Sequence, residues 1–416
     1  MILSTSISKN PENALNYHRS FPPGKYEIRP TKPLKNYDDL SLAYSPGVAK
    51  PCLEIKKNEY NVNIYTNKAN TVGIITNGTA VLGLGNIGAS ASKPVMEGKA
   101  VLFKQFSNIN GIDIEVDTED VDKFINSVRF LGKTWGGINL EDIRAPDCFI
   151  IESQLQNLMD IPVFHDDQHG TAIVVLAGII NALYLSEKHK QHIKIVICGA
   201  GAAGIASAQL LLEYGINKNN IYIVDRQGVV NKNRTNNYNK WKQQFANPTD
   251  ENTLEEVIKN ADVFIGVSGP NILSVDMLLS MNKNPIVFAL SNPEPEIDPN
   301  LAKDIRKDIL LATGRSDHSN QINNVLCFPF IFRGTLDVKA NSINTPMKIA
   351  AAKAIAKLGR DSKDFGPNSF IPSIFDERLL FQVSYDVAEA AILSNNTDET
   401  CVFLNEYKDR LMHMIS

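Results

Sequence analysis

A chain of 416 residues is too long for one small core, so two or three domains are expected. Its apolar and charged fractions, 43% and 21%, are ordinary for a globular protein, and a net charge of −4 with a pI near 6.0 argues against a nucleic-acid or anionic-membrane surface as the main partner. Five scattered cysteines (Cys52, Cys148, Cys198, Cys327, Cys401) form no CxxC pair, which excludes a Cys-based zinc site and suits reduced thiols in a cytoplasmic setting.

Residues 1–30 are rich in Pro, Asn and Ser and read as an extended arm with little packing. Met1 to Pro11 have neither the basic start nor the apolar core of a signal peptide. Tyr44 stands in a turn whose two prolines, Pro46 and Pro51, and glycine, Gly47, forbid a long helix. Val72 to Thr76 reads as a buried strand followed by an Asn77-Gly78 turn, Ile112 to Val116 as a strand, and Val121 to Leu131 as an amphipathic helix. The apolar run Thr171 to Leu185 has helical character and is too short to span a bilayer.

From Ile193 onward, strands and helices alternate. Strands are expected at Ile193–Cys198, Ile221–Val224, Val263–Val267, Ile286–Leu290 and Ile309–Ala312, which predicts a parallel, doubly wound sheet. Residues 228–253, rich in Asn, Lys and Gln, read as an exposed insertion. Asn341 to Ser394 is helical, broken at Gly366-Pro367 and Pro372, and is expected to pack back on the first domain. The fold class is therefore α/β: an N-terminal α/β catalytic domain (1–165), a Rossmann-like dinucleotide-binding domain (166–330) and C-terminal helices (331–416).

The pattern G-x-G-x-x-G occurs twice, at Gly83 to Gly88 and at Gly199 to Gly204. Only the second follows a clean strand, opens a proline-free helix and has an acidic residue, Asp225, ending the next strand. Those features suit a dinucleotide: a tight turn, close backbone approach to the pyrophosphate, and a helix N-terminus facing negative charge. Gly199, Ala200, Gly201, Ala202, Ala203 and Gly204 are therefore assigned to the cofactor. The first match, followed by Ser92-Lys93-Pro94, predicts a late or kinked helix and reads as a turn bringing Lys93 and Lys99 near a site. Asp225 suits the adenine ribose of NAD, whereas Arg226 beside it suits the extra phosphate of NADP.

Two acidic pairs, Glu141-Asp142 and Asp166-Asp167, each adjoin apolar strand-like residues. If they converge they form an all-oxygen site for Mg²⁺ or Mn²⁺. Otherwise each is a helix cap or a solvated turn. Lys99, inside an apolar run, is a candidate base, since desolvation and a nearby metal would both lower its pKa; Lys93 and Lys104 are rivals. His165 and His169, four apart, lack a third His or Cys ligand, so at least one is expected to be a structural hydrogen-bonding residue.

Several segments together resemble the compact bacterial type of malic enzyme. They are Tyr-Ser-Pro-Gly-Val-Ala (44–49), Gly-Leu-Gly-Asn-Ile-Gly (83–88), Gly-Gly-Ile-Asn-Leu-Glu-Asp (136–142), His-Asp-Asp-Gln-His-Gly-Thr (165–171), Ser-Asn-Pro (291–293) and Asn-Asn-Val-Leu-Cys-Phe-Pro (323–329). The resemblance runs from about Tyr17 to about Asp386. It implies oxidative decarboxylation of L-malate to pyruvate and CO₂ with NAD or NADP and a divalent metal. By motif, Tyr44 would be the general acid and Lys99 the general base. Glu141, Asp142 and Asp167 would hold the metal, with Asp166 beside them, and Asn292 and Asn324 would contact substrate or nicotinamide. Ala80 stands where larger eukaryotic relatives carry a carboxylate-binding arginine. The resemblance also implies a homodimer, with the N-terminal arm crossing to the partner, and no acyltransferase-like extension. A malolactic enzyme, a non-decarboxylating dehydrogenase, or a dinucleotide sensor without catalysis would fit the same scaffold.

Overall fold

The structure, a computed structural model, describes residues 11–234, 239–397 and 404–415. Cys401 and residues 1–10 lie outside the described residues. Two sheets organise the chain. The first is parallel and four-stranded, β1 (Thr71–Thr76), β2 (Asn110–Glu115), β3 (Gly137–Leu140) and β4 (Val163–His165), in the order β2-β1-β3-β4. β1 and β3 are buried along their whole length, which explains why β1 alternates only weakly in sequence.

The second sheet contains β5 (Ile195–Cys198), β6 (Ile221–Asp225), β7 (Gly228–Val229), β8 (Val263–Gly266), β9 (Ile286–Ala289) and β10 (Leu310–Thr313), in the order β10-β9-β8-β5-β6-β7. All pairings are parallel except β6 with β7. The chain winds outward from β5 to β6 and returns to β8 on the other side of β5. The topological switch point therefore lies between β5 and β8, where open α/β sheets bind ligands.

The Asp166–Ser186 helix joins the two sheets. Its 21 residues exceed the Thr171–Leu185 run and make it long and apolar enough, by length and composition, to cross a bilayer. Here it is a core helix, packed against the Ala202–Glu213 and Thr345–Arg360 helices. Ile173, Val174, Val175, Leu176 and Ala177 are all fully buried, so hydrophobic burial accounts for its composition. The C-terminal helices Thr345–Arg360 and Arg378–Leu393 pack chiefly on this helix, on each other and on Phe328–Asp337. That last helix carries Phe332 to the first sheet, edge-on to Phe103 and Phe164 at 5.3 and 5.7 Å.

Three segments differ from their reading in the sequence. The N-terminal arm contains a helix, Pro11–Arg19, although its described side chains remain mostly exposed. The helix after the first glycine turn begins at once, at Ala89, and runs to Ser107 with Pro94 inside it. Pro94 falls close enough to the start to forgo one backbone hydrogen bond without ending the helix. The 228–253 segment is not wholly exposed. It supplies β7, buries Phe245, and sets Trp241 against Phe149 in a tilted ring contact at 4.9 Å.

Candidate functional site

β3 and β4 lie side by side with Leu140 opposite His165, so the residues that follow each strand emerge together. Glu141-Asp142 and Asp166-Asp167, distant in sequence, are thereby brought to one place. Ligand oxygens of Glu141, Asp142 and Asp167 lie within 4.8 Å of one another. The Asp142 backbone N–H donates to Asp167 Oδ2 at 2.8 Å, and Asp142 holds a left-handed φ of 54°, an uncommon conformation for a non-glycine residue. Asn139, two residues before Glu141 on β3, donates to Glu141 Oε2 at 2.8 Å.

Lys99 enters from the Ala89–Ser107 helix and joins the two pairs. Its Nζ lies 2.6 Å from Asp166 Oδ2 and 2.9 Å from Glu141 Oε1, with the Phe328 ring 4.1 Å away. Asn324 donates to the same Asp166 oxygen at 2.5 Å. Gly170 leaves the room this carboxylate needs, since a Cβ there would lie 1.8 Å from Asp166 Oδ1. Lys93 pairs instead with Asp113 at 2.6 Å, and Lys104 donates to Asn108 and Asn110.

Crowding of buried carboxyls raises their pKa values. Burial first, then Asp167 and Glu141, push Asp142 up to about 9. Burial raises Glu141 to about 7 against the pull of Lys99, and likewise raises Asp167 to about 6. Burial alone would lower Lys99, as the sequence suggested, but Asp166 and Glu141 outweigh it and hold the ammonium above its ordinary value. In this state Lys99 is an acid-bound cation and not yet a base.

The donor set fits a hard divalent cation. All three groups offer oxygen, burial and then repulsion from neighbouring carboxylates suppress their acidity, and Asp142 Oδ2 is buried without a hydrogen-bond partner among the described residues. The histidines take no part in such a set. His169 hydrogen-bonds Glu152 and Lys348, while burial lowers His165 to about 4 and keeps it neutral. His165 Nδ1 stands 3.6 Å from Asp167 Oδ2, beyond hydrogen-bond reach.

The second glycine turn lies at the switch point. Gly199 has φ +121°, and a Cβ on Gly204 would lie 1.8 Å from Gly199 O, so strand and helix meet there only through glycine. Gly201 caps the Ala202–Glu213 helix without a side-chain hydrogen bond, and a Cβ there would meet nothing within 4 Å. As the first residues of a helix, Ala202 and Ala203 have backbone N–H groups without an intrahelical partner, with Ala200 in the turn before them. The first glycine turn packs elsewhere: a Cβ on Gly83 would lie 2.5 Å from Asn292 O. Asn292 is exposed and donates only a long bond, 3.4 Å, to Leu290 O.

Two expected placements are altered. Asp225 is already engaged by Arg234 at 2.8 Å and Lys242 at 2.7 Å, both from the 228–253 segment, while Arg226 is exposed. Tyr44 is 71% exposed, and neither adjoining helix, Tyr37–Ala43 or Ala49–Lys57, contains a buried residue. No hydrogen bond among the described residues links its side chain to Lys99 or the carboxylates. Arg234, Lys242, Asn139 and Phe328 were not foreseen. Only Asn139 had a local signal, its two-residue spacing from Glu141 along a strand.

Residues 23–156 match the family model described as malic enzyme, N-terminal domain, and residues 168–392 match malic enzyme, NAD binding domain. The chain is 54% identical over 415 residues to a probable NADP-dependent malic enzyme of Rickettsia prowazekii, covering 97% of this chain and 54% of that protein. It is 50% identical over 392 residues to an NADP-dependent malic enzyme of Halomonas elongata, covering 91% and 93%. It thus spans about half the length of some curated relatives and nearly all of others. A crystal structure of malic enzyme from Pyrococcus horikoshii superposes with a TM-score of 0.91 at 40% identity, covering 97% of this chain and 95% of that one. With matched domains on both sheets, and the acidic cluster between them, the chain belongs to the malic enzyme family.

Proposed function

We propose that this protein oxidatively decarboxylates L-malate to pyruvate and CO₂ while reducing NAD(P)⁺, with a divalent cation bound by Glu141, Asp142 and Asp167. The observation that carries this reading is Lys99 bridging Asp166 and Glu141 beside an oxygen-only donor set. A bound Mg²⁺ or Mn²⁺ would supply Lewis-acid polarisation of the substrate hydroxyl and carboxylate. A cation held by Glu141 would weaken one of the two carboxylate contacts that keep Lys99 protonated, in the direction that burial already favours. Bound NAD(P)⁺ would supply the hydride acceptor for C2, and Lys99 takes the C2 hydroxyl proton, which leaves the β-keto acid. The bond from C3 to the distal carboxylate then breaks, CO₂ leaves, and the electron pair remains as the enolate. Tyr44 protonates C3 to give pyruvate. Asp166, held by Asn324, keeps Lys99 aimed at the substrate, and Asn292 and Asn324 would contact substrate or nicotinamide.

Tyr44 is supplied by a second copy of the chain, in a homodimer. The exposure of Tyr37, Leu42, Tyr44 and Leu53 supports this, because no described residue covers these large side chains. A cytoplasmic setting fits the four described cysteines, all unpaired. The cations around Asp225 favour NADP: Arg234 and Lys242 occupy the carboxylate that would otherwise accept ribose hydroxyls, and with Arg226 they suit a 2′-phosphate. The defining experiment supplies malate with Mn²⁺ and each nucleotide and identifies the products. Pyruvate with equimolar reduced nucleotide supports the proposal. Lactate would indicate a malolactic enzyme, and accumulated oxaloacetate a dehydrogenase that stops before decarboxylation.

A further inference from the structure

Behind the acidic cluster, three side chains from three elements form a connected chain. Glu152, on the Asp147–Leu158 helix, is 6% exposed. It accepts the backbone N–H of His165 at 3.0 Å and, one helical turn on, His169 Nε2 at 2.9 Å. Lys348, on the Thr345–Arg360 helix, donates to His169 Nδ1 at 3.0 Å and forms no ion pair with a carboxylate among the described residues. The bonding fixes the histidine tautomer: Nε2 carries the proton donated to Glu152, and Nδ1 accepts from the lysine.

The chain grips both ends of one turn. The Asp166–Ser186 helix starts at His165 with no side-chain cap, although Asp and Asn are favoured for capping and two aspartates stand in the first turn. Neither aspartate is available for that role. Asp166 is committed to Lys99 and Asn324, and Asp167 to the Asp142 N–H. Glu152 does the holding from outside, and Lys348 balances its charge. We propose that Glu152, His169 and Lys348 form a brace of positioning residues that sets the direction of Asp166 and Asp167, and so the geometry of the cation site. The inference rests on the cation reading above, and it makes the C-terminal helices part of the active-site scaffold.

The test measures Mn²⁺ binding to the full chain by EPR of the free ion, with melting temperature and NADPH fluorescence titration on the same samples. Lys348→Met removes the outer donor, and Glu152→Gln places an amide donor where His169 must donate. Both are expected to weaken Mn²⁺ binding about tenfold or more, the range seen when groups behind metal ligands are removed. NADPH affinity should hold, and Lys348→Arg, which keeps a cationic donor, should recover most of the Mn²⁺ affinity. A lowered melting temperature with unchanged Mn²⁺ affinity would show a merely structural role and overturn the brace. Asp167→Asn separates the two levels. If the parent protein binds Mn²⁺ and Asp167→Asn does not, the cation reading stands and the brace is judged on its own variants. If the parent binds no Mn²⁺, both fall. Should Glu152→Gln fail to fold, Lys348→Met decides, because it removes only a part-buried terminus.

Discussion

Lys99 Nζ lies 2.6 Å from Asp166 Oδ2, an ion pair buried on both sides between a helix of the first sheet and the helix that leads to the second. A buried pair of this kind is costly to break from one side, because the remaining charge is left without compensation. Here it also holds Lys99, the base in the proposed mechanism, in its protonated form.

Lys99→Ala is expected to lower kcat for malate oxidation by about 10³-fold or more, in the range of a lost general base. NADPH affinity measured by fluorescence should be unchanged, since the glycine turn is separate. Turnover near the parent rate would remove Lys99 from the mechanism.

Tyr44→Phe is expected to impair pyruvate formation more than reduction of added oxaloacetate. If Tyr44 serves the opposite copy, mixing Tyr44→Phe with Lys99→Ala subunits should restore about a quarter of the parent activity, because random C₂ dimers would hold one intact site in half the population. Absence of recovery after confirmed subunit exchange would place both residues in one chain's site.

The raised carboxyls set a sign for the pH dependence. Asp142, Glu141 and Asp167 have folded-state values of about 9, 7 and 6, above ordinary carboxyl values. Between those ordinary values and the folded ones the native protein binds more protons than the unfolded chain, so stability without metal falls as pH rises through that window. Melting temperature should decline from about pH 5 to pH 9 without divalent ions, and Mn²⁺ should oppose the decline increasingly as pH rises. Asp142→Asn should flatten the profile while weakening Mn²⁺ binding. A melting temperature that rises across the window would contradict the raising of these carboxyls by burial and neighbouring charge.

Gly170→Ala sets two effects against each other. Alanine gains about 1 kcal/mol in helix propensity over glycine. The new Cβ would lie 1.8 Å from Asp166 Oδ1, and overpacking costs about 1–3 kcal/mol. The collision is expected to prevail, lowering stability by urea unfolding and reducing kcat at least tenfold as Asp166 turns away from Lys99.

At the ribose end, Lys242→Gln and Arg234→Gln are expected to raise KM for NADP about tenfold each while leaving KM for NAD nearly unchanged, the loss expected for one charge-assisted phosphate contact. An equal effect on both nucleotides would reduce these side chains to anchors of the 228–253 segment.

Much of the nucleotide-binding half is legible in the sequence because its signals are local. A buried strand, three spaced glycines and a proline-free helix impose their own geometry at Gly199–Gly204, and each later strand of that sheet is a short apolar run ending in a turn. The acidic pairs are visible too, as residues out of place beside apolar strands. Their convergence is not. It depends on β3 and β4 being neighbours, a pairing between segments whose mutual register no local pattern encodes.

The α/β class, the glycine turn after β5 and the family are legible in short-range periodicity and contiguous motifs. Tertiary structure alone decided that Lys99 is held as a cation, that Asp225 is closed off by Arg234 and Lys242, and that Tyr44 faces outward. Each depends on charges or surfaces that are distant along the chain, and electrostatic and burial energies are set by distance in space.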